Sequence, residues 1–293
     1  MNIKVGTRAS KLALKQTELA IQALSKIFPE RSFEIVPICV KGDQDKKTPL
    51  VQMKQTGIFI KEIELALLDH TIDLAVHSLK DVGSVMHPDL MLLQHALFED
   101  PRDCLVSKDH QTLMELRPEA KLATGSLRRR ACIHRLRPDI QFVDLRGNIE
   151  TRLQKLKESD WDGLILASAG LKRLGLEALI DEYLDPSFVI PACGQGTLAL
   201  QIRKEDQGQY EKCFSETSRA LEVQIERDFL MQSQAGCHVP VGCYAKIHGQ
   251  TVVVDACFGE DEFSCRFVHD TFSLDHWEQI GSQLLKKLKE QEL

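Results

Sequence analysis

The sequence has no apolar run that approaches the roughly 20 residues of a membrane span, and charged side chains occur within its first eight residues. We therefore expect neither a membrane helix nor a secretory signal, and we predict a cytoplasmic protein. The G-x-x-x-x-G-K-[ST] loop and the G-x-G-x-x-G fingerprint are also missing, so nucleotide binding has no support. With 43% hydrophobic and 27% charged residues, the composition is that of a globular protein.

Nine cysteines are present, but no Cys-x-x-Cys pair occurs. This odd, scattered set does not suggest a disulfide framework, and a cytosolic setting keeps thiols reduced. Structural zinc needs four ligands, whereas the stretch QAGCHVPVGC offers only Cys237, His238 and Cys243, so we predict no metal site. Buried, inert thiols are the default for most cysteines. From the residues alone, Cys237 remains either such a thiol or a nucleophile on a glycine-flanked turn.

The charge of the chain is unevenly distributed. Its net charge of −6 argues against a general nucleic-acid partner. Between Lys121 and Lys157, however, ten Lys or Arg residues stand against three acids, a local surplus of +7. A concentrated basic region in an acidic protein indicates one small anionic ligand rather than a long polyanion.

Strand-like and helix-like segments alternate through most of the chain, which predicts an α/β fold. We predict two doubly wound domains that resemble periplasmic binding proteins and enclose a cleft, followed by a small α+β domain. The predicted bounds are 1–98 with 195–215, then 102–192, then 218–293. The strand–helix–strand order predicts parallel sheets. We also predict a mobile loop at 41–57 and a helix over 171–184.

In parallel α/β sheets, the residues that face a ligand follow the carboxyl ends of the strands. In this sequence such positions are rich in Arg, Lys, Ser and Thr. They are Arg8, Ser10, His77, Ser78, Lys80, Asp81, Thr124, Ser126, Arg128, Arg129, Arg130, Arg146, Asn148, Arg152, Gly170, Lys172 and Arg173.

Guanidinium groups at several successive strand ends predict a ligand with several negative groups, and carboxylates fit better than nucleotide phosphates. Thr124 or Ser126 can cap a helix whose N-terminal N–H groups also favour an anion. The alternative, that the arginines pair with acids of the protein itself or lie in solvent, remains open. Asp81 is the only acid among these positions, so it is either a catalytic carboxylate or a helix cap.

Eight motifs follow one another along the chain: VGTRAS, AVHSLKDV, EDPRD, TGSLRR, LRGNIETRL, AGLKRLGL, PACGQG and AGCHVPVG. Together, from about residue 3 to residue 245, they resemble the porphobilinogen deaminase (hydroxymethylbilane synthase) family. The resemblance implies a transferase of tetrapyrrole and heme biosynthesis that deaminates four porphobilinogen molecules and joins them head to tail into hydroxymethylbilane. It also implies a dipyrromethane cofactor, attached covalently through a thioether to Cys237.

The resemblance further implies roles for individual residues, with Asp81 as the catalytic carboxylate. The implied cofactor-binding residues are Cys237, Lys80, Ser78, Thr124, Ser126, Arg128, Arg129, Arg146, Asn148 and Gly170. The implied substrate-binding residues are Arg8, Ser10, Arg146, Arg152, Arg173 and Gln195. Porphobilinogen is the implied partner, and we expect a monomer without a membrane or nucleic-acid partner. Loss of ammonia would leave an azafulvene, whose positive charge a nearby carboxylate stabilises.

The chain departs from the family pattern in a few places. Lys11 and Gly83 replace prolines that are common in the family, and Gln52 and Thr56 replace lysines in the predicted loop. The two lost charges put the contribution of this loop to substrate binding in doubt. There are two rival functions. Two α/β lobes around a cleft for anions also describe a solute-binding protein, and Gln52 and Thr56 suggest a relative that binds tetrapyrrole precursors without turnover.

Overall fold

The computed structural model describes residues 1–40, 60–93, 97–213, 217–235 and 239–291. The predicted loop with Gln52 and Thr56 lies outside the described residues, as do Cys237 and His238. The strands are β1 (Asn2–Arg8), β2 (Ser32–Ile38), β3 (Leu74–Ser78), β4 (Leu90–Leu92), β5 (Asp103–Ser107), β6 (Lys121–Ala123), β7 (Gln141–Val143), β8 (Gly163–Ala167), β9 (Glu182–Tyr183), β10 (Leu198–Arg203), β11 (Val241–His248), β12 (Thr251–Phe258) and β13 (Arg266–Ser273). The α-helices are α1 (Lys11–Ile27), α2 (Lys61–Leu68), α3 (Leu127–Leu136), α4 (Ile149–Glu158), α5 (Ser168–Arg173), α6 (Ser218–Ser233) and α7 (Ile280–Glu290).

The first sheet has the strand order β2-β1-β3-β10-β4. Successive side chains of a strand point to opposite faces, so β3 contributes to two cores. Leu74 and Val76 pack with α1, whereas Ala75 packs with Ile63 and Leu67 of α2. Helices therefore cover both faces of this sheet.

The second sheet has the order β7-β6-β8-β5-β9 and is covered in the same way. Leu122 and Ile165 pack with α3, while Leu164 and Leu166 pack with Leu156 of α4. The prediction of two doubly wound α/β domains is confirmed. Nothing tests the predicted domain bounds, which stay a prediction.

The parallel pairing predicted from the strand–helix–strand order is confirmed, but neither of the two sheets is parallel throughout. β1 runs parallel to β2 and β3, and β6 runs parallel to β7 and β8, but β10 and β5 are antiparallel to β3 and β8. β5 and β10 follow the segments that cross between the two sheets. The strand–helix–strand rule covers chains that stay in one sheet, so it gives no direction for such strands.

The predicted helix over 171–184 was wrong. α5 begins earlier, at Ser168, and the chain leaves the helix before Gly175, which has a φ of +70°. A left-handed glycine is a common helix terminator because glycine adopts this conformation without steric cost. A short 3₁₀ turn (Glu177–Leu179) and β9 follow.

The third sheet is antiparallel, in the order β11-β12-β13. Ile225 and Phe229 of α6 and Leu284 of α7 pack with Val252 and Val254 of β12. The predicted small α+β domain is confirmed. No helix within the described segments is long and apolar enough to cross a membrane.

Candidate active site

Two antiparallel pairings determine which residues reach the cleft. Leu198, at the start of β10, pairs with Ser78 at the end of β3. Asp103, at the start of β5, pairs with Ala167 at the end of β8. Amino-terminal ends of antiparallel strands therefore lie at the same sheet edge as carboxyl ends of the parallel strands. Asp103 and nearby Gln195 join the residues predicted from strand ends.

The chain crosses between the two sheets at 98–102 and 193–197, which we call the two crossovers. Phe98 forms a β-bridge with Thr197, and the Glu99 N–H donates to the Gly196 carbonyl oxygen at 3.0 Å. Gly196 has a φ of +85°, and a Cβ there would lie 2.3 Å from the Glu99 carbonyl oxygen. Only glycine allows the crossovers to approach this closely.

A cavity of about 110 Å³ lies at the end of β1 and β3. It brings together six of the positions predicted from strand ends: Arg8, Ser10, His77, Ser78, Lys80 and Asp81. Ser10 also caps α1, because its hydroxyl accepts a hydrogen bond from the Ala13 N–H at 3.3 Å. Lys80 and Asp81 lie on a single 3₁₀ turn (Leu79–Asp81) directly after β3.

Gln16, which the sequence analysis missed, also lines this cavity. Its amide nitrogen donates to the Ser78 hydroxyl at 3.0 Å, and its side chain is buried. A polar residue on the buried face of the amphipathic helix α1 was the signal that could have identified it.

His77 also lines the cavity, but its Nε2 is in contact with a side chain of β10. Its Nε2 lies 3.0 Å from the Gln201 side-chain oxygen of β10. Burial lowers the pKa of His77 to about 4, although the hydrogen bond to Gln201 opposes this. His77 is therefore neutral at pH 7.

Lys80 connects the cavity to the second crossover. Its Nζ donates to the Gln195 side-chain oxygen at 3.1 Å. Burial lowers the pKa of Lys80 to about 8, and the charge of Arg129 lowers it further, while Asp81 and Asp103 raise it. The ammonium group is thus mostly protonated at neutral pH but close to titration.

Arg128 and Arg129 both pair with Asp103, and all three side chains are buried. Arg128 Nη1 lies 2.8 Å from Asp103 Oδ2, and Arg129 Nη2 lies 2.8 Å from Asp103 Oδ1. Burial alone would raise the pKa of Asp103, but the two guanidinium charges hold it well below its usual value. For these two arginines, pairing with an acid of the protein itself is what the structure shows.

Asp103 is the second acid of the site. The sequence analysis named it only as part of the motif EDPRD, because β5 was not recognised and its direction was unknown. Its place in one of the eight motifs was the available signal.

Thr124 and Ser126 lie where β6 meets α3. The Thr124 hydroxyl accepts a hydrogen bond from the Ser126 N–H at 3.2 Å, and the Ser126 hydroxyl caps α3 through the Arg129 N–H at 3.4 Å. The side chain of Arg130 turns away to Asp144, at 2.5 Å. Lys172 pairs with Glu99 at 3.5 Å. Not every strand-end cation is therefore directed at a ligand.

Arg146, Asn148 and Arg152 lie around the start of α4. Asn148 caps the helix by accepting a hydrogen bond from the Thr151 N–H at 2.8 Å. Burial lowers the pKa of Arg152 to about 10; the charges of Arg129 and Arg146 act in the same direction, and Asp81 opposes them. Charged residues that follow strands of both sheets therefore lie close enough to Arg152 to change its pKa.

Arg173 and Gly170 lie on α5. Arg173 donates to the Gly196 carbonyl oxygen of the second crossover, and burial lowers its pKa to about 10. A Cβ at Gly170 would lie 2.8 Å from Ile149 and 3.6 Å from Leu12. Close packing of Gly170 against α4 and α1 thus explains why a glycine stands at this position.

The described cysteines lack the exposure that a reactive thiol needs, with the exception of Cys39 and the partly exposed Cys265. Six of the eight are buried, and none of the eight forms a disulfide. Burial raises the pKa of Cys243 well above its usual value, so this thiol is inert at neutral pH. Among the described residues, no group of three or more His, Cys, Asp or Glu side chains could hold a metal ion.

Two family models match the chain. One, "Porphobilinogen deaminase, dipyromethane cofactor binding domain", matches residues 3–211, and the other, "Porphobilinogen deaminase, C-terminal domain", matches residues 220–290. A porphobilinogen deaminase of Syntrophotalea carbinolica is 45% identical over 290 residues, covering 98% of this chain and 92% of the relative. One of Oceanobacillus iheyensis is 45% identical over 263 residues, covering 89% and 85%. Among solved structures, the Methionine Binding Protein MetQ is similar over 77% of this chain and 94% of its own, with 13% identity and a TM-score of 0.45.

Proposed function

This chain belongs to the porphobilinogen deaminase family, and we propose on that premise how its own residues carry out the reaction. Its function is that of hydroxymethylbilane synthase, a transferase of tetrapyrrole and heme biosynthesis that joins four porphobilinogen molecules with loss of ammonia. The observation that carries the residue assignment is the cavity that unites Arg8, Ser10, Ser78 and Lys80 with Asp81.

The described residues fit a dipyrromethane cofactor, whose two linked pyrroles carry carboxylate side chains. Lys80 and Arg152 both have pKa values lowered by burial, so their charges lack full compensation within the protein. Bound carboxylates would neutralise this surplus and recover the cost of burying the charges. When bound through Cys237, the cofactor supplies the carbon atom at which the pyrrole chain grows.

The cofactor carboxylates would be held from both sheets. Ser78 and Lys80 act from the end of β3, and the remaining donors act from the second sheet. These are Thr124, Ser126, Arg128, Arg129, Arg146 and Asn148, with Gly170 as a close-packed backbone position. Arg128 and Arg129 have the least freedom, because both are already held by Asp103.

Asp81 acts on the substrate. As ammonia leaves porphobilinogen, positive charge develops on the pyrrole nitrogen, and an ionised carboxylate in the same cavity stabilises it. His77 is neutral at pH 7 and hydrogen-bonded to Gln201, so it does not compete as a cationic acid there.

Arg8, Ser10, Arg146, Arg152, Arg173 and Gln195 would bind the acetate and propionate groups of porphobilinogen. Guanidinium groups form paired hydrogen bonds with carboxylates, which fixes the plane of the pyrrole ring as well as its position. Holding the reacting carbon atoms next to each other converts each addition from an encounter in solution into a local step.

Intact-mass spectrometry of the purified protein tests the proposal. We expect an added mass of two pyrrole units, lost in Cys237→Ala and retained in Cys39→Ala, whose side chain is exposed. A folded protein without added mass that consumes no porphobilinogen would contradict the assignment. Binding of porphobilinogen without consumption would favour the solute-binding alternative.

We also propose that the enzyme is a cytoplasmic monomer. The absence of disulfides among the eight described cysteines fits a reducing compartment. Large exposed apolar side chains, such as Val85, Met114 and Phe263, come from separate segments of the chain. Light scattering coupled to gel filtration should give the mass of one chain, and a stable dimer would overturn this proposal.

A further inference from the structure

We propose that Asp103 is a positioning residue for pyrrole addition, which fixes Arg128 and Arg129 directly and fixes Lys80 through Gln195. This inference rests on the proposed function. Asp103 touches neither the cavity lining nor any group that the mechanism above assigns to the reacting atoms. Its effect would be transmitted through side chains that do bind the ligand.

The carboxylate of Asp103 is saturated with donors. Oδ2 accepts from Arg128 Nη1 at 2.8 Å, while Oδ1 accepts from Arg129 Nε at 3.1 Å, Arg129 Nη2 at 2.8 Å and Gln195 Nε2 at 2.9 Å. The side chain has no exposed area. One buried acid thus holds three side chains from two different parts of the chain.

This arrangement fixes the planes of the two guanidinium groups. Arg129 Nη1 also donates to the Ile165 carbonyl oxygen at 3.0 Å, so all three of its nitrogens have protein acceptors. Arg128 Nη1 also donates to the Ile190 carbonyl oxygen. The N–H groups left for a ligand are therefore set by the protein before any ligand arrives, which is a preorganised site.

Asp103 and the Pro101 carbonyl oxygen together determine which end of the Gln195 amide faces Lys80. A carboxylate only accepts hydrogen bonds, and Gln195 Nε2 donates both to Asp103 Oδ1 and to the Pro101 carbonyl oxygen at 2.7 Å. The amide oxygen must then point to the other side, where Lys80 Nζ lies 3.1 Å away. With a neutral amide at position 103, the Pro101 carbonyl oxygen alone would hold Gln195 Nε2 through an obligate acceptor, so the amide oxygen would be held less firmly towards Lys80.

The negative charge of Asp103 also favours the protonated form of Lys80. The charged groups that influence Lys80 are Arg129 and Arg128 of α3, Asp81 of its own turn, and Asp103 of β5. The two arginines favour the neutral amine, and the two acids favour the ammonium ion. Removal of one acid leaves two positive neighbours against a single negative one, so Lys80 should lose its proton at a lower pH.

The test is the pH dependence of kcat/KM for porphobilinogen in holoenzyme carrying Asp103→Asn. We expect the alkaline limb to move down by about one pH unit and KM at pH 7 to rise about tenfold, with a smaller change in kcat. Asp103→Glu, which keeps the charge, should bring the limb back towards its original position. A merely structural role would lower the yield of active enzyme without moving the limb.

Asp103→Asn leaves two buried arginines without an acid, so it can fail to fold. In that case Gln195→Leu decides, because it breaks the link between Asp103 and Lys80 while the pairs of Asp103 with Arg128 and Arg129 stay intact, and it should also move the alkaline limb to lower pH. An unchanged limb in a folded variant overturns the inference. The proposed function fails separately, if wild-type protein carries no added pyrrole mass and consumes no porphobilinogen.

Discussion

Arg227 of α6 donates a hydrogen bond to the backbone carbonyl oxygen of Val82, the residue that follows Asp81, at 2.6 Å. Its second terminal nitrogen donates to the Gly83 carbonyl oxygen at 2.8 Å. A helix that packs on the C-terminal sheet thus holds the turn that carries Asp81, the proposed catalytic carboxylate. The position of Asp81 depends on contacts between regions that are far apart in sequence.

We expect Asp81→Ala to keep the fold but to nearly abolish turnover. Asp81 is only partly buried, on a turn at the edge of the sheet, whereas an opposing charge at a developing cation is worth about a hundredfold or more in rate. Single-turnover consumption of porphobilinogen, with circular dichroism as the check on folding, measures this. Near-normal turnover would show that the carboxylate has another role.

Lys80 should give the enzyme an alkaline limit. Since burial lowers the pKa of Lys80 to about 8, its charge disappears as the pH rises through that value. We expect kcat/KM to fall above about pH 8, and the fall should be absent in Lys80→Arg because a guanidinium stays charged. A limb that persists unchanged in this variant would assign it to another group.

His77 should contribute to acid instability. Its pKa is about 4 in the folded protein, against a usual value of 6.5, so between these values only the unfolded chain binds the proton. The contribution is complete above pH 6.5 and is lost as the pH falls to 4, about 3 kcal/mol in total.

Urea titrations at several pH values compare His77→Gln with wild type. The variant should show a shallower loss of the free energy of unfolding between pH 6.5 and 4. His248→Gln, at an exposed position, is the matched control and should keep the wild-type slope. Parallel curves for His77→Gln and wild type would rule out this contribution.

Gly83→Pro should stabilise the protein by about 0.4–1 kcal/mol, because proline reduces the entropy of the unfolded chain. Val82 has φ −81° and ψ 120°, the extended conformation that a following proline requires. Arg227 binds the Gly83 carbonyl oxygen, which proline retains. Thermal melts of the wild type and the variant measure the change. A lower melting temperature of the variant would show that the backbone at position 83 does not accept proline without strain.

Most of the polar residues that line the cavity at the end of β1 and β3 could be predicted from strand ends. Arg8, Ser78, Lys80 and Asp81 follow parallel strands, and the rule for such strands places them correctly at one edge. Asp103 escaped because β5 is antiparallel, so its first residue, rather than its last, reaches that edge. Sheet pairing between segments distant in sequence sets strand direction, and local patterns carry no information about it.

The pairing of Arg128 and Arg129 with Asp103 was unpredictable for a related reason. The residue types made pairing with the protein's own acids possible, but only the tertiary structure identifies which acid is near. The fold class was easier, since strand-like and helix-like segments alternate along the chain and already indicated an α/β fold. The early end of α5 was missed because Gly175 was read as part of a helix.

The two crossovers have a consequence for how the chain can vary in length. One leads into Asp103 and the other contains Gln195, and these side chains are hydrogen-bonded to each other. One added residue in either crossover would shift its polar side chain out of register. The hydrogen bond between Asp103 and Gln195 would then be lost, together with the arrangement of charges around Asp103. By contrast, the turn between β12 and β13 could lengthen without reaching either side chain. Each crossover therefore joins the two sheets and also positions one of the two hydrogen-bonded side chains.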